Sequence, residues 1–347
     1  MAAPPAARSV RIGRNGRETA DPSRALLALG AGVLFAALIF AVNLLLAPAF
    51  DATLPTRVQD GLTLTLSVLI ESLPFVGLGV ILAIAIQVWV PAAWVERVLP
   101  RRAWPRRLVL AALGMLIPVC ECGNVPFARG LMMRGLTPAD TLAFLVAAPI
   151  VNPIVIITTH QAFGWSGGIL VARVAGGYAV ALLIGWVYSR HPDPQALLTE
   201  RFRLACEDTA EAGGSRFRRS LAQFVIELRA VMPALVIGSA IAGAVQVVIP
   251  RSVLVAIGSN PVLSVVAMML LAVTVALCSN VDSFFALSFA STFTTGSLVA
   301  FLVVGPLIDV KMIALLRTTF TTRVIAGISA VVALFAFALG TVMNLVL

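Results

Sequence analysis

The chain has 347 residues, of which 60% are hydrophobic and only 12% are charged, and its formal net charge is +9. Soluble domains carry roughly 25% charged residues, so this composition excludes a soluble protein and predicts an all-α polytopic membrane protein. Apolar runs of about 20 residues also exclude an outer-membrane β-barrel, whose strands are shorter and alternate in polarity. The arginines stand between the apolar runs, as they do in cytoplasmic loops, so no nucleic-acid partner is predicted.

The N-terminal region divides at residue 24. Residues 1–24 are rich in arginine and have no periodic apolar pattern, which indicates a basic cytoplasmic arm. Residues 25–47 form an apolar run that is too long for the hydrophobic region of a signal peptide. We therefore expect a retained anchor helix, a cytoplasmic N-terminus and a multi-pass protein of the bacterial plasma (inner) membrane.

Two stretches, 107–135 and 261–293, interrupt apolar sequence with polar residues and predict re-entrant hairpins. If 107–135 crossed the membrane once, the arginine-rich loop 189–220 would lie outside, against the positive-inside rule. Each arm of such a hairpin has about 12 residues and reaches about 18 Å, close to the membrane midplane. About seven full transmembrane helices complete the prediction. They are 25–47, 61–90, 139–159, 166–188, 222–249, 297–317 and 324–346.

Short sequence matches recur at a nearly constant separation in the two halves of the chain and predict an internal repeat. The positive-inside rule places matched segments on opposite sides of the membrane, which predicts two inverted-topology repeats, a common plan of secondary transporters. The predicted units are permease repeat 1 over 58–188, a cytoplasmic loop over 189–220 and permease repeat 2 over 221–347. The matches are Pro74, Gly79 and Gln87 with Pro233, Gly238 and Gln246; Cys122 and Asn124 with Cys278 and Asn280; and Asn152 with Asp309.

Residues 118–126, Pro-Val-Cys-Glu-Cys-Gly-Asn-Val-Pro, stand in the middle of a predicted membrane segment. Proline interrupts a helix, glycine lets the backbone bend, and a charged residue at the bilayer centre costs several kcal/mol. Non-helical backbone at this depth is tolerated only where it faces protein or a cavity. This nonapeptide therefore predicts the substrate site of a transporter.

Cys120 and Cys122 flank Glu121, and Cys278 matches Cys122 in the second repeat. Thiolates are soft ligands that suit soft metal ions and arsenic-like species. Residues two apart seldom close a disulfide, so we expect substrate-binding thiols; packing as small apolar side chains is the alternative. A metal site with Cys120, Glu121 and Cys122 as ligands is a further alternative, whereas Cys206 in a polar loop is expected to have no role.

Glu121 and Asp282 are the predicted proton-coupling residues, because a carboxyl group that is desolvated at the midplane takes up a proton more readily. Glu121 is alternatively a substrate ligand or the partner of an arginine. Arg173 is expected to pair with one of the intramembrane acids. Lys311 is expected to extend to the inner interface rather than to face Asp309, two residues away.

Three asparagines complete the predicted substrate site. Asn124 and Asn280 each stand two residues after a cysteine of the repeated motif. Asn152 stands between Pro149 and Pro153, which open the helix and leave carbonyl groups without partners. Asn152 is therefore expected to contact the substrate, with a packing hydrogen bond as the alternative.

Three motifs carry a family resemblance: the nonapeptide 118–126, Gly-Leu-Met-Met-Arg-Gly at 130–135 and Ala-Ala-Pro-Ile-Val-Asn-Pro at 147–153. The chain resembles the bacterial predicted-permease family over about residues 58–346, and the best-understood members of that family are organoarsenical efflux permeases. The resemblance implies secondary transport in the inner membrane, with Cys120, Cys122 and Cys278 as the thiols to test. The family usually has a small residue between the first two cysteines. Glu121 at that place resembles a branch with a Cys-Glu-Cys-Gly motif and suits a cation better than a neutral methylarsenic species.

Three functions follow from these patterns. The first is an inner-membrane secondary permease that moves a small thiophilic solute, similar to a trivalent organoarsenical, by efflux coupled to protons. The second is a permease for a soft divalent metal ion such as zinc, and the third is a membrane thiol-redox or scaffold subunit. No P-loop or metalloprotease motif occurs, so neither an enzyme nor a cofactor is predicted. The expected partners are the lipid bilayer, the solute or metal ion, and a second copy of the chain or an accessory membrane protein.

Overall fold

The computed structural model describes residues 56–91, 97–117, 119–208, 215–248 and 262–346. In these ranges the structure is helical, and its only extended pairing is one bridge between Leu198 and Phe320. The predicted arm 1–24 and the predicted anchor helix 25–47 lie outside the described residues. The predicted all-α class is confirmed.

Each half of the described chain contains the same succession of six helices. A long helix is followed by two short helices, then by two short helices joined end to end at a break, and finally by a second long helix. The first half consists of α1 Thr56–Ile84, continued by the π-helical turn Ala85–Trp89, α2 Ala103–Leu113, α3 Glu121–Met133, α4 Pro138–Val151, α5 Pro153–Phe163 and α6 Ile169–Tyr188. The connecting helix is α7 Glu200–Asp208. The second half consists of α8 Arg216–Val248, α9 Leu263–Val275, α10 Asp282–Leu287, α11 Thr295–Val304, α12 Val310–Leu316 and α13 Thr322–Val346.

Five helical segments are long and apolar enough to cross a membrane, which confirms a polytopic membrane protein. They match five of the predicted spans. The prediction of one continuous helix over 297–317 is wrong, because that stretch forms α11 and α12 with a break between them. The five segments are Thr56–Trp89, Pro138–Phe163, Ile169–Tyr188, Arg216–Val248 and Thr322–Val346.

The break between α4 and α5 follows from proline chemistry. Asn152 has an extended backbone (ψ 132°), the conformation that a following proline favours. Its side-chain oxygen accepts a hydrogen bond from Ile154 N at 2.9 Å and so caps the start of α5. Asp309 does the same for α12 by accepting from Met312 N. The predicted helix 139–159 is therefore two helices that share one cap.

Both predicted hairpins return to the end of the bundle where they begin. Arg106 Nε and Arg107 Nε donate to the two carboxylate oxygens of Asp140 at 2.7 and 3.0 Å. The start of α2 therefore lies beside the start of α4. Ser264 Oγ and Thr294 Oγ1 are 3.2 Å apart and bring the start of α9 beside the start of α11. We call the turns between α2 and α3 and between α9 and α10 the first and second hairpin tips.

The first hairpin contacts the residues just before α13, and the second hairpin contacts the far end of α13. Arg129, in the second half of α3, donates to the carbonyl of Thr318, just before α13, at 3.0 Å. At the far end of α13, Asn344 Oδ1 accepts from Gly296 N, at the start of α11, at 2.8 Å. Helix α13 has 25 residues and a length of about 37 Å, enough to cross a bilayer.

Two of the short helices are buried and the long helices expose apolar side chains, which is the pattern of a protein surrounded by lipid. Helix α4 is buried along its whole length, and α11 is buried from Gly296 to Val304. The long helices instead expose apolar side chains; Ile237 in α8 is 57% exposed and Leu334 in α13 is 70% exposed. Several charged side chains, among them Glu121, Arg173 and Lys311, lie inside, where they mark functional sites in membrane proteins.

Two glycines that match in the repeat allow the long helices to approach the hairpins and breaks. A Cβ atom added at Gly79 in α1 would lie 2.1 Å from the carbonyl oxygen of Gly123. A Cβ atom added at Gly238 in α8 would lie 3.0 Å from Cα of Lys311. Helices α1 and α8 therefore fix the positions of the first tip and of the start of α12.

Candidate functional site

The first hairpin tip carries its polar residues into the centre of the bundle. The backbone is extended at Cys120 (φ −72°, ψ 174°), and α3 begins at Glu121. The second tip turns at Ala276, whose φ of 49° is a left-handed conformation rare outside glycine. The tips meet where Ser279 Oγ donates to Glu121 Oε2 at 2.9 Å. We call the residues around this contact the tip site.

Each half of the protein packs one short helix against the other half. Helix α3 of the first half contacts α12 of the second, and α10 of the second half contacts α5 of the first. The tip site is therefore built from both halves. A relative movement of the halves would change the distances between its ligand atoms.

Glu121 is paired with a buried lysine. Glu121 Oε1 lies 3.1 Å from Lys311 Nζ, and both side chains are at most 2% exposed. Asp309 Oδ2 lies 3.9 Å from the same Nζ and has no hydrogen-bond donor among the described residues. The prediction that Lys311 extends to the inner interface is wrong. It assumed a continuous helix, whereas α12 begins only at Val310 and places Lys311 at the bundle centre.

Two thiols lie close to the same carboxylate. The Sγ atoms of Cys120 and Cys278 and a carboxylate oxygen of Glu121 are all within 4.8 Å of one another. All three residues are buried. This set combines two soft donors with one anionic oxygen, and each tip supplies one thiol. The set can hold a soft cation or a thiophilic atom.

Cys122, which the sequence predicted as a metal ligand together with Cys120 and Glu121, is not among the three ligand atoms that lie within 4.8 Å of one another. Its Sγ is 3.6 Å from Ser72 Oγ of α1, although its thiol also interacts with that of Cys120. The Cys122 thiol therefore lies between α1 and the Cys120 thiol of the tip site. Its role as a ligand stays a prediction.

The asparagines divide into two groups. Asn152 Nδ2 donates to the carbonyl of Val119 in the first tip at 3.0 Å, and its oxygen caps α5. Both of its polar groups are thus used in structure, which supports the packing alternative. Asn124 and Asn280, the matched pair, each have a buried side-chain oxygen with no hydrogen-bond donor among the described residues. These two oxygens are available to a ligand.

Asp282 lies in a second, separate polar cluster. Arg173 holds both carboxylate oxygens of Asp282, at 2.5 Å through Nη2 and at 3.0 Å through Nη1. The same Nη1 contacts Thr159 Oγ1 and Ser283 Oγ, each at 2.7 Å. The prediction that Arg173 pairs with an intramembrane acid is confirmed. The proton-coupling role of Asp282 stays a prediction.

Sequence reasoning missed two members of the tip site, Lys311 and Ser279. The sequence contained a signal for the special role of Lys311, because Lys311 is the only lysine in the chain. Ser279 stands between Cys278 and Asn280, inside the repeated motif, but serine is too common in membrane helices to indicate a ligand contact by itself.

Comparisons with known proteins agree with a membrane permease. The sequence profile of a family described as predicted permease matches residues 58–345. The chain is 37% identical over 262 residues to UPF0718 protein YcgR of Bacillus subtilis, an alignment covering 74% of this chain and 88% of that protein. It is 33% identical over 276 residues to a Streptococcus mutans protein named as a two-component membrane permease complex subunit, with 78% and 91% covered. No solved structure matches the chain.

Proposed function

The chain belongs to the predicted-permease family and is a transporter, not an enzyme, and we propose that its cargo is a small thiophilic solute similar to a trivalent organoarsenical. The observation that carries this proposal is the cluster of the Cys120 thiol, the Cys278 thiol and the Glu121 carboxylate within 4.8 Å. Thiolate sulfur binds soft species in preference to hard cations such as Mg²⁺. Two thiols from different tips favour a cargo that accepts two sulfur bonds.

A soft divalent metal ion such as zinc is the second candidate, and the Glu121 carboxylate favours it. Two thiolates and one carboxylate give three protein ligands, which leaves one position of a tetrahedral zinc ion open for exchange. A closed set of four ligands would hold the ion as a structural metal. An incomplete set is better suited to a site that must also release its cargo.

In this proposal, Lys311 promotes release of a cationic cargo by competing with it for Glu121. The ammonium group donates to Glu121 Oε1 at 3.1 Å, so a cationic cargo that binds this oxygen has to displace it. Asp309 Oδ2, 3.9 Å away, offers the displaced ammonium group a second carboxylate. Return of Lys311 to Glu121 then competes with the cargo. We assign the exchange of cargo for a proton first to Glu121, whose carboxylate belongs to the proposed ligand set, and Asp282, held by Arg173, is the second proposed proton-coupling residue.

Transport is proposed to follow an inverted-repeat mechanism in the bacterial inner membrane, with a cytoplasmic N-terminus. Supporting this, the two hairpins make contacts near opposite ends of α13, and arginines of α3, α7 and α8 line one cavity with Arg317. Reporter fusions test the orientation. A fusion at Cys206 is expected to report the cytoplasm, and a fusion at Gly164 is expected to report the outside. The reverse result would refute the proposed orientation.

An accessory membrane protein is a proposed partner. The Streptococcus mutans relative is named as a subunit of a two-component membrane permease complex. Co-purification of this chain with a second membrane protein encoded beside it would support the same arrangement here.

Uptake by everted membrane vesicles tests the cargo. Vesicles that contain the chain are offered a trivalent methylarsenical, Zn²⁺, Cd²⁺ and Cu⁺ in parallel, with and without a proton gradient. We expect gradient-dependent accumulation of one of the thiophilic cargoes, and its loss in Cys278→Ser but not in Cys206→Ser. Equal transport by the two variants would refute the thiol site. Equal accumulation of the cargo with and without the proton gradient would refute proton coupling but not the thiol site.

A further inference from the structure

A cavity of about 610 Å³ opens between α7, α8 and α12, on the side of the bundle where the first hairpin has its base. Three exposed arginines line it, one on α7, one on α8 and one just after α12: Arg201, Arg229 and Arg317. No acidic side chain lines this cavity among the described residues. The mouth of the cavity therefore has a strongly positive potential.

Most of the remaining wall of the cavity is apolar, and its α8 side faces outward. It includes Ile226, Ile237 and Ile241 of α8, and Ile237 is 57% exposed. From Arg229 to Ile241 the helix rises about 18 Å, close to the roughly 15 Å depth of one hydrocarbon leaflet. Three arginines and an apolar helix surface of leaflet length in one cavity match the two parts of a phospholipid.

The inner wall of the cavity is a fixed surface. Arg129 lines it, and its guanidinium group is held by Glu227 at 2.8 Å and lies 4.3 Å from the ring centre of Phe202. The charge of Arg129 is thereby neutralised inside the protein. The three exposed arginines are left to attract an anion from outside.

We propose that this cavity binds an anionic phospholipid, with its phosphate between Arg201, Arg229 and Arg317 and one acyl chain along α8 and α12. Arginine binds phosphate through paired hydrogen bonds, and basic pockets between membrane helices bind anionic headgroups. The cavity also includes Val310 and Ile313 of α12, the helix that carries Lys311. A bound lipid thus covers the outer face of a helix of the tip site without entering that site.

Native mass spectrometry of the purified full chain tests the proposal with phosphatidylglycerol, phosphatidylcholine and inorganic phosphate. Each arginine near the surface adds about 1 kcal/mol of attraction, so three arginines predict roughly a hundredfold preference for phosphatidylglycerol over phosphatidylcholine. A triple variant removes the site, and a matched triple variant removes the same charge from exposed arginines outside the cavity. The first is Arg201→Gln, Arg229→Gln and Arg317→Gln, and the control is Arg203→Gln, Arg218→Gln and Arg323→Gln.

Loss of the preference in the first triple variant, with the control unchanged, supports the lipid site. Three results overturn it: equal binding of the two lipids by the unmodified chain, equal loss of preference in both triple variants, or displacement of the lipid by inorganic phosphate. The last result would assign the arginines to a soluble anion instead. Cargo transport plays no part in this readout, so the test is independent of the proposed cargo.

Discussion

The buried pair of Glu121 and Lys311 gives the sharpest quantitative test of the tip site. Lys311→Met replaces the ammonium group by an apolar group of similar length and leaves the Glu121 carboxylate, 1% exposed, without its cation. Breaking a buried ion pair by removing one partner costs about 3–5 kcal/mol. Ser279 still donates to the other carboxylate oxygen at 2.9 Å, so we expect the lower end, about 3 kcal/mol.

Glu121→Gln is expected to cost a similar amount, because it leaves the Lys311 ammonium group buried beside the more distant Asp309 carboxylate. The double variant Glu121→Gln with Lys311→Met removes both charges, and such neutral replacements are often tolerated. We therefore expect the double variant to be more stable than either single variant, with a coupling energy of about 2 kcal/mol or more.

Thermal unfolding of the purified protein in detergent measures this cycle. A loss of about 3 kcal/mol corresponds to a decrease in Tm of roughly 4 °C for a chain of 347 residues, because the entropy of unfolding grows with chain length. Arg203→Met, an exposed cation on α7, is the control and is expected to leave Tm unchanged. Additive effects of the two single substitutions would show that Glu121 and Lys311 do not interact and would refute the pairing.

Two further predictions concern the thiols and the glycines. Cys278→Ser keeps the side-chain volume but replaces a soft donor by a hard one. We expect cargo affinity, measured by titration, to fall at least about tenfold, whereas Tm stays constant. Cys206→Ser is the control, and equal cargo affinity of the two variants would contradict the site. Gly79→Ala places a Cβ atom 2.1 Å from the carbonyl oxygen of Gly123, in the first turn of α3, and is expected to cost about 1–3 kcal/mol and to reduce transport. Gly77→Ala, where nothing lies within 4 Å, is expected to be neutral or to gain up to about 1 kcal/mol of helix propensity; similar losses in both would refute the close approach.

Much of the fold could be predicted because membrane proteins encode their spans locally. The long helices follow from apolar runs, and the hairpins follow from polar residues inside such runs combined with the placement of arginines. The contacts of Arg106 and Arg107 with Asp140 bring the two ends of the first predicted hairpin together, and its re-entry into the membrane stays a prediction. The break at Asn152 was visible as two prolines, but its position as a helix cap depends on a local hydrogen bond that composition does not reveal.

The tip site could be predicted only in part, since its contacts join residues that are far apart in the sequence. The repeat matched Cys278 with Cys122, whereas Cys120 is the thiol grouped with Cys278 and Glu121 in the structure. The pairing of Glu121 with Lys311 depends on where α12 begins. A continuous helix over 297–317 would have put the ammonium group at a different height in the membrane.

The composition of the tip site also bears on which cargo it can carry. A neutral thiophile needs only the two thiols, and for it the Glu121 carboxylate and the Lys311 ammonium group would form a pair with no net charge beside the cargo. A cation instead competes with Lys311 for the same carboxylate oxygen. Binding of a cation would therefore weaken when Glu121 is replaced and strengthen when Lys311 is replaced, whereas binding of a neutral thiophile would change little in either variant. The sign of the Lys311→Met effect on affinity thus separates the metal-like cargo from the arsenical-like cargo within one thiol site.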